Sequence, residues 1–201
     1  MRYLSASREL MRGNAAGKLV LGAEGLEWYN FFVTDQMKIA GLSADYAAMR
    51  EMTQLETLRG QPKHYAFADS GGMFLQIPFE GASQLPVVLE RGWQRAFRIP
   101  MCAEPTDRGL ELIVQVILKS GDTFAWLPVS VNGCWPRREH TRSDRLLFPC
   151  GPFTRHVAAN TGHEFRFPVS LLRDGWNEIV VENGGEHTIT VVGLELAIRR
   201  A

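Results

Sequence analysis

Between residues 110 and 198 the chain repeats one pattern, in which apolar side chains take every second position and short clusters of glycine, asparagine and aspartate interrupt them. Leu112, Val114, Val116 and Leu118 share one face, and Glu111, Ile113, Gln115, Ile117 and Lys119 share the other. Ser120-Gly121-Asp122 then turns the chain, and residues 124–131 read as the return strand, ending in Asn132-Gly133, a pair suited to turn positions of positive φ. Phe165, Phe167 and Val169 alternate with Glu164 and Arg166. Asp174-Gly175 leads into residues 176–182, with Ile179 and Val181 on one side, and Asn183-Gly184-Gly185 forms a tight turn into residues 188–198, where Val192, Leu194, Leu196 and Ile198 recur at period two. A period of two sends successive side chains to opposite faces of an extended strand, which a helix cannot do. Short strands at this spacing, with little helix among them, predict a mainly β fold, an antiparallel sandwich of the jelly-roll kind.

The first quarter reads differently. Leu10, Met11, Ala15, Leu19 and Val20 fall at helical spacing within residues 5–21, where Arg12, Ala15 and Ala16 favour a helix and Gly13 and Gly17 oppose one. Gly22 and Gly25 punctuate the chain before residues 26–33 (LEWYNFFV), a run bulky on both faces except at Glu27 and Asn30, as expected of a strand inside a layered α/β structure. Ser43 is placed to cap a second helix through Tyr46, Met49 and Met52, with Asp45 in its first turn. The pattern changes at Leu58-Arg59-Gly60-Gln61-Pro62. Two units are therefore expected: residues 1–62 as helix, strand and helix, and residues 63–201 as the sandwich.

Composition narrows the functional classes. The chain has 201 residues, of which 45% are apolar and 22% charged, enough to form a core and to exclude long disorder. Lys and Arg total 22 and so do Asp and Glu, so no overall field draws the protein to nucleic acid or to an anionic membrane. No apolar run reaches the roughly 18 residues of a membrane-spanning helix. Arg2, Arg8 and Glu9 stand where a signal peptide would need an apolar stretch, so a cytoplasmic location is expected if Met1 is the true start. Cys102, Cys134 and Cys150 are too widely spaced for a C-x-x-C zinc site or a dense disulfide framework, and one disulfide between two of them stays open.

Two stretches carry a resemblance to a known group of proteins. Residues 22–32 (GAEGLEWYNFF), followed by residues 58–69 (LRGQPKHYAFAD), resemble the end of the catalytic barrel in bacterial glycoside-hydrolase-like proteins. There a (β/α)8 barrel closes on a strand of the form G-A-D-G-[IL]-x-x-[FY]-N-F and passes through L-x-G-x-x-K-H-Y into a β-sandwich. Residues 169–198 look like the closing hairpin of that sandwich, which is of the galactose-binding-like type, and residues 129–133 (VSVNG) resemble its strand with a loop-presenting Asn-Gly end. A whole barrel needs about 200 residues or more, with carboxylates at several strand ends, so this chain has room only for a remnant of one. Glu27 stands where such proteins carry an apolar or aromatic residue, and none of the matched motifs is a catalytic signature.

Candidate chemistry is correspondingly sparse. A glycosidase needs two carboxyl groups about 5–10 Å apart, and only Glu24, Glu27 and Asp35 lie near the barrel-like strand. Asp69-Ser70-Gly71-Gly72 resembles the nucleophile region of chymotrypsin-like proteases, but the only preceding histidine is His64, and a Gly-rich turn is the expected reading. His64, His140, His156, His163 and His187 form no H-x-H or H-E-x-x-H motif and read as surface or loop residues. No catalytic residue, metal ligand or cofactor is assigned. A structural calcium ion, which the resemblance allows, is given no ligands by the sequence.

Arg137, Arg138, His140, Arg142, Arg145, Arg155 and His156 gather in one region, as a solvated loop with local ion pairs or as guanidinium groups able to hold a carboxylate. Exposed aromatic rings offer a flat face to the axial C–H groups of a pyranose. Of Trp93, Trp126, Trp135 and Phe153, the loop residues Trp135 and Phe153 are the expected platform, while Trp126 and Trp176, in strand patterns, are expected in the core. The expected carbohydrate-binding set is Trp135, Arg138, Arg142, Phe153 and Arg155. The leading function is a non-catalytic C-terminal accessory module of a glycoside-hydrolase-like protein, with carbohydrate as its partner. A hydrolase fragment needing barrel strands from another chain, and a module self-associating through Trp28, Phe31 and Phe32, are the alternatives.

Overall fold

Nine strands, three α-helices and a 3₁₀ turn (Val169–Leu171) occur among the described residues, which in the computed structural model are 7–27, 46–67, 84–122, 126–136, 140–145, 147–148 and 161–201. The helices are α1 (Arg8–Leu19), α2 (Tyr46–Glu51) and α3 (Leu55–Leu58). The strands are β1 (Lys63–Ala66), β2 (Val87–Leu89), β3 (Gln94–Met101), β4 (Leu110–Leu118), β5 (Val129–Val131), β6 (Thr141–Ser143), β7 (Gly162–Pro168), β8 (Gly175–Glu182) and β9 (Ile189–Arg200). One sheet runs β1-β9-β4-β7-β6, with β2 also on β9, and the other runs β3-β8-β5; every pairing is antiparallel. Leu112, Val114 and Val116 of β4 and Phe165 and Phe167 of β7 meet Phe97 of β3, Ile179 and Val181 of β8 and Val129 of β5 in one core. The period-two pattern is thus the imprint of two sheets facing each other.

Two connections and one strand face differ from the sequence expectation. Only residues 129–131 of the expected return strand form a strand among the described residues, and that strand pairs with β8, not β4. β4 already has β9 on one side and β7 on the other, so no edge is left for a return strand. Likewise β8 and β9 are no closing hairpin: they lie in different sheets, and residues 183–188 carry the chain across. The buried Asn183 organises that crossing, its Nδ2 donating to the carbonyls of Leu89 (2.9 Å) and His187 (2.8 Å) and its Oδ1 accepting from the Gly185 N–H (3.0 Å). Finally, Val192 does not share a face with Leu194, Leu196 and Ile198. The register slips opposite Ile117 and Leu118, so the bulge turns Ile189 and Val191 inward ahead of it and Leu194 inward after it.

The helix expected at residues 5–21 is α1. Ser7 caps it, its side chain accepting from the Leu10 N–H (3.1 Å). Its buried side holds Met11, Arg12, Ala15 and Ala16 together with Gly13 and Gly17, the two residues that disfavour a helix on propensity alone. Their presence has a steric cause. A Cβ on Gly13 would stand 2.1 Å from the His64 carbonyl oxygen of β1, and one on Gly17 would stand 2.9 Å from the Pro100 carbonyl oxygen of β3. The helix therefore lies backbone-close across β1 and β3, the edge strands of the two sheets on that side. Arg12 is buried with it and grips Glu51 of α2 through Nε (2.9 Å) and Nη2 (2.7 Å). Met11, Ala15 and Ala16 pack with Ala48, Met52 and Leu58.

The change of pattern expected after Pro62 falls at the first residue of β1, Lys63. The barrel-like run at residues 28–33, Asp35, the cap residues Ser43 and Asp45, and Asp69 to Gly72 lie outside the described residues. So do Phe124, Cys150 and His156.

Gly13→Ala separates two opposed effects. Alanine favours a helix by up to about 1 kcal/mol over glycine, whereas forcing apart a backbone contact typically costs about 1–3 kcal/mol. The expected outcome is net destabilisation in urea unfolding, and a variant as stable as the parent would show that the close approach is not required.

Candidate functional site

The two sides of the sandwich differ. On the side of β1 and β3 the gap between the sheets is closed by α1 and by a buried cluster. Lys63 Nζ donates to Glu104 Oε1 (2.7 Å) and to the Gln61 carbonyl (3.1 Å), the Gly60 N–H donates to Glu104 Oε2 (2.7 Å), and Cys102 Sγ lies 3.2 Å from Glu104 Oε1. Burial pushes the Cys102 thiol up to about 12, with neighbouring Glu104 adding to the rise and Lys63 opposing it, so it is not a thiolate nucleophile at neutral pH. Beside it, Arg59 holds Asp174 through two hydrogen bonds (3.0 and 2.8 Å), which keep that carboxyl below the usual range. This cluster joins strands, with the Lys63 and Glu104 side chains out of solvent.

On the other side, β5 is the edge of the smaller sheet and β6 the edge of the larger. Here Trp126, Leu127 and Pro128 lead into β5, and Leu127 turns into the core. The Trp126 carbonyl accepts from the Gly184 N–H (3.1 Å), and its indole lies against Gly184 so closely that a Cβ there would be 2.5 Å from the ring. One part of the ring is thereby fixed on backbone, while 63% of the residue stays exposed. After β5, Asn132 (φ 48°) and Gly133 (φ 80°) make the left-handed turn expected of the Asn-Gly pair. Val131 and Cys134 exchange two backbone hydrogen bonds of 2.9 Å, which send the chain back beside β5. That return presents Trp135, 58% exposed, followed by Pro136.

Trp126, Trp135, Pro128, Pro136, His140 and Phe165 line a groove of about 480 Å³. The His140 ring stacks on Phe165 at 5.2 Å and meets His163 edge-on at 5.4 Å. Arg142 on β6 stands opposite His163 on β7. Burial, with the charges of His140 and Arg142 adding to it, holds the His163 imidazole down at about 4. His163, behind the groove, is therefore neutral at neutral pH, and the groove's walls are mostly aromatic and proline.

Of the predicted set, the structure places Trp135 in this groove and Arg142 next to it, on β6. Arg138, Phe153 and Arg155 lie outside the described residues, as does Arg137. Two expectations are corrected. Trp126 and Trp176 are not core residues: they are 63% and 53% exposed. Pro128, which has no N–H for a ladder, marks Trp126 as preceding the strand proper, and the parity of Ile179 and Val181 puts Trp176 on the outer face. Nor are the histidines all on the surface, since His64 and His163 are buried in β1 and β7. His64 Nε2 lies 3.1 Å from Glu195 Oε2 and its ring packs on Phe148. Trp126, which the sequence reading placed in the core, and His140, which it read only within the basic region, both line the groove.

Glu24 and Glu27 are exposed. Cys102 and Cys134 are free, the first buried and the second exposed. Among the described residues no group of three or more His, Cys, Asp or Glu is placed to hold a metal ion, and no helix is long and apolar enough to cross a membrane.

No protein-family model matches the chain, and no curated protein matches it. Among solved structures, a β-porphyranase of glycoside hydrolase family 86 from the human gut bacterium Bacteroides plebeius is similar over 69% of this chain and 21% of its own, at 13% identity and a TM-score of 0.42. Two structures of BuGH86 in complex with neoagarooctaose, a variant and the wild type, are 14% and 16% identical, each covering 68% of this chain, with TM-scores of 0.39. They are matched over 18% and 19% of their own chains, so this chain spans about a fifth of the length of these neighbours. At that level of similarity the matches decide neither activity nor ligand.

The His163 environment has a consequence for stability. Its ordinary value is 6.5 and its folded value about 4, so below pH 6.5 the unfolded chain takes up a proton that the folded chain refuses. Its contribution is complete above that pH and falls as the pH drops towards 4, by roughly 2–3 kcal/mol at about one unit per 1.4 kcal/mol. Urea unfolding at pH 7 and pH 4.5 is expected to show this loss in the parent and a smaller loss in His163→Gln. An equal loss in both would assign the effect to other groups.

Proposed function

We propose that the chain is a non-catalytic accessory module of a glycoside-hydrolase-like protein, a jelly-roll sandwich preceded by a barrel remnant in residues 1–62, and that it binds carbohydrate at the open edge of the sandwich. The observation that carries the binding reading is the exposure of two indoles, Trp126 and Trp135, on one groove. Indole faces attract the C–H faces of pyranose rings, and a pair on neighbouring walls can hold a sugar from two sides. A sugar also offers hydroxyl groups to His140, which lines the groove, and to Arg142 on the neighbouring strand. The Trp126 ring is held against Gly184, so it loses little freedom on binding, and the turn before Trp135 fixes where its backbone presents the second indole. Arg138, Phe153 and Arg155 belong to the proposal by their place in the sequence. The resemblance of residues 22–32 and 58–69 to glycoside-hydrolase-like proteins supports the accessory part of the reading.

The test is the binding of neutral oligosaccharides, followed by tryptophan fluorescence and by retardation in gels containing the polysaccharide. Trp126→Ala and Trp135→Ala are each expected to weaken binding about tenfold, a loss of about 1.4 kcal/mol and within the range for one stacked aromatic with its buried area. Trp135→Ala combined with Arg142→Ala is expected to abolish it without unfolding the protein. Unchanged affinity in these variants would remove the edge groove as the binding site.

A further inference from the structure

A second groove lies apart from the edge, on the outer face of the three-stranded sheet. It measures about 800 Å³ and is lined by Gln84, Arg98, Asn132, Arg173, Trp176 and Glu178. Alternation along β8 creates it. With Ile179 and Val181 turned into the core, Trp176 and Glu178 must face outward, and the register sets Arg98 of β3 opposite Glu178 and Pro100 opposite Trp176. An exposed indole thus stands one row along from a pair of opposite charges.

The floor of this groove is held by two amides. Asn132 Nδ2 donates to the Leu171 carbonyl (2.8 Å) and to Asn177 Oδ1 (2.8 Å), while Asn132 Oδ1 accepts from the Glu178 N–H (2.9 Å). The fully buried Asn177 donates from Nδ2 to the carbonyls of Arg173 (2.8 Å) and Gly175 (3.0 Å), and its Oδ1 also accepts from the Arg173 N–H (3.1 Å). The two side chains satisfy each other and pin residues 171–178 to the β5 turn, so the groove is preorganised and not a chance hollow between mobile loops. Arg173 is further fixed by donation from Nε to the Trp176 carbonyl (3.0 Å), and among the described residues its two Nη groups have no partner. Arg98 Nε meets Glu178 Oε2 at 3.3 Å in an exposed pair, which holds little energy and is open to exchange for another anion.

We propose that this groove binds an acidic saccharide, with the ring of a uronate residue on the Trp176 indole and its carboxylate held by Arg173 and Arg98. Each element corresponds to one part of such a ligand. The indole takes the apolar C–H face, the guanidinium groups take the carboxylate by charge-assisted hydrogen bonds, and Glu178 accepts from ring hydroxyls. Two guanidinium groups against one carboxylate leave a local charge of +1, enough for a single anionic group and too little for a polyanion such as nucleic acid. The site is independent of the edge groove, because none of the residues lining one lines the other.

Calorimetry on the full chain with trigalacturonate, and with its carboxyl-reduced neutral trimer, tests the proposal. Trigalacturonate is expected to bind at least about tenfold more tightly than the neutral trimer, as for a charge-assisted hydrogen bond gained, and to bind more weakly as salt is raised. Trp176→Ala and Arg173→Met are each expected to lose about tenfold, Trp176→Phe to retain most of the affinity, and Trp135→Ala to leave it unchanged, with circular dichroism confirming that every variant is folded. Equal binding of the two trimers, no binding of trigalacturonate, or full affinity in Trp176→Ala would overturn it. Loss in Trp135→Ala without loss in Trp176→Ala would return the ligand to the edge groove and remove the second site. Failure of the neutral oligosaccharides at the edge groove would leave this result unaffected.

Discussion

The architecture depends on one buried ion pair. Lys63 opens β1, the edge of the larger sheet, and Glu104 follows β3, the edge of the smaller one. Both side chains are out of solvent, and their contact at 2.7 Å spans the gap where the two sheets meet. Such a pair contributes little net stability over an apolar contact of the same shape, but removing one partner typically costs about 3–5 kcal/mol because the other is left charged and buried. Its physical effect here is selective. Glu104 also accepts from the Gly60 N–H, and Lys63 donates to the Gln61 carbonyl, so the pair is satisfied only when the turn between α3 and β1 sits between the two sheets. The charge pair thereby fixes which edges meet and where the helical layer attaches.

Closing one edge leaves the opposite one without a helical cover among the described residues. α1 lies over β1 and β3 at backbone distance, which Gly13 and Gly17 permit, and among the described residues no helix covers β5 and β6. Two sheets held at one margin present a seam at the opposite one, and a seam lined by apolar side chains needs a cover or a ligand. The chain meets this seam with rings. Trp126, Trp135 and His140 lie over it, with Phe165 below and His163 kept neutral beneath. The edge groove is therefore a product of how the sandwich is assembled, not an addition to its surface.

Much of this was legible in the sequence, and the remainder was hidden for identifiable reasons. β4, β7, β8 and β9 could be read because alternation is a local property, and the Asn132-Gly133 turn because few residue pairs take positive φ twice. The partner of a strand is not local. Ser120-Gly121-Asp122 and Asn183-Gly184-Gly185 show that the chain reverses, but not whether the next strand returns in the same sheet, and in both places it crosses to the other. The bulge near Val192 is likewise invisible, since it is defined by the register against Ile117 and Leu118. The burial of Lys63 and His163 ran against residue-type expectation, because each depends on a neighbour distant in sequence. The exposure of Trp135 was legible from its loop position, whereas Trp126 and Trp176 were assigned to the core because large aromatics in strand patterns usually are. Alternation with Ile179 and Val181 sets Trp176 on the outer face, but whether another layer covers that face is a tertiary fact.

Both grooves finally meet at a single turn. Asn132 and Gly133 end β5; on one side they send Trp135 back along the open edge, and on the other the Asn132 amide secures Asn177 and with it Arg173 and Trp176. The turn has only two residues because both take left-handed conformations, which asparagine and glycine tolerate and β-branched or bulky residues do not. A longer or differently wound connection would move Trp135 off the edge and at the same time release the floor of the outer groove. The two surfaces are thus chemically separate, and the Asn132 side chain holds the outer one to this turn through its hydrogen bonds to Leu171, Asn177 and Glu178.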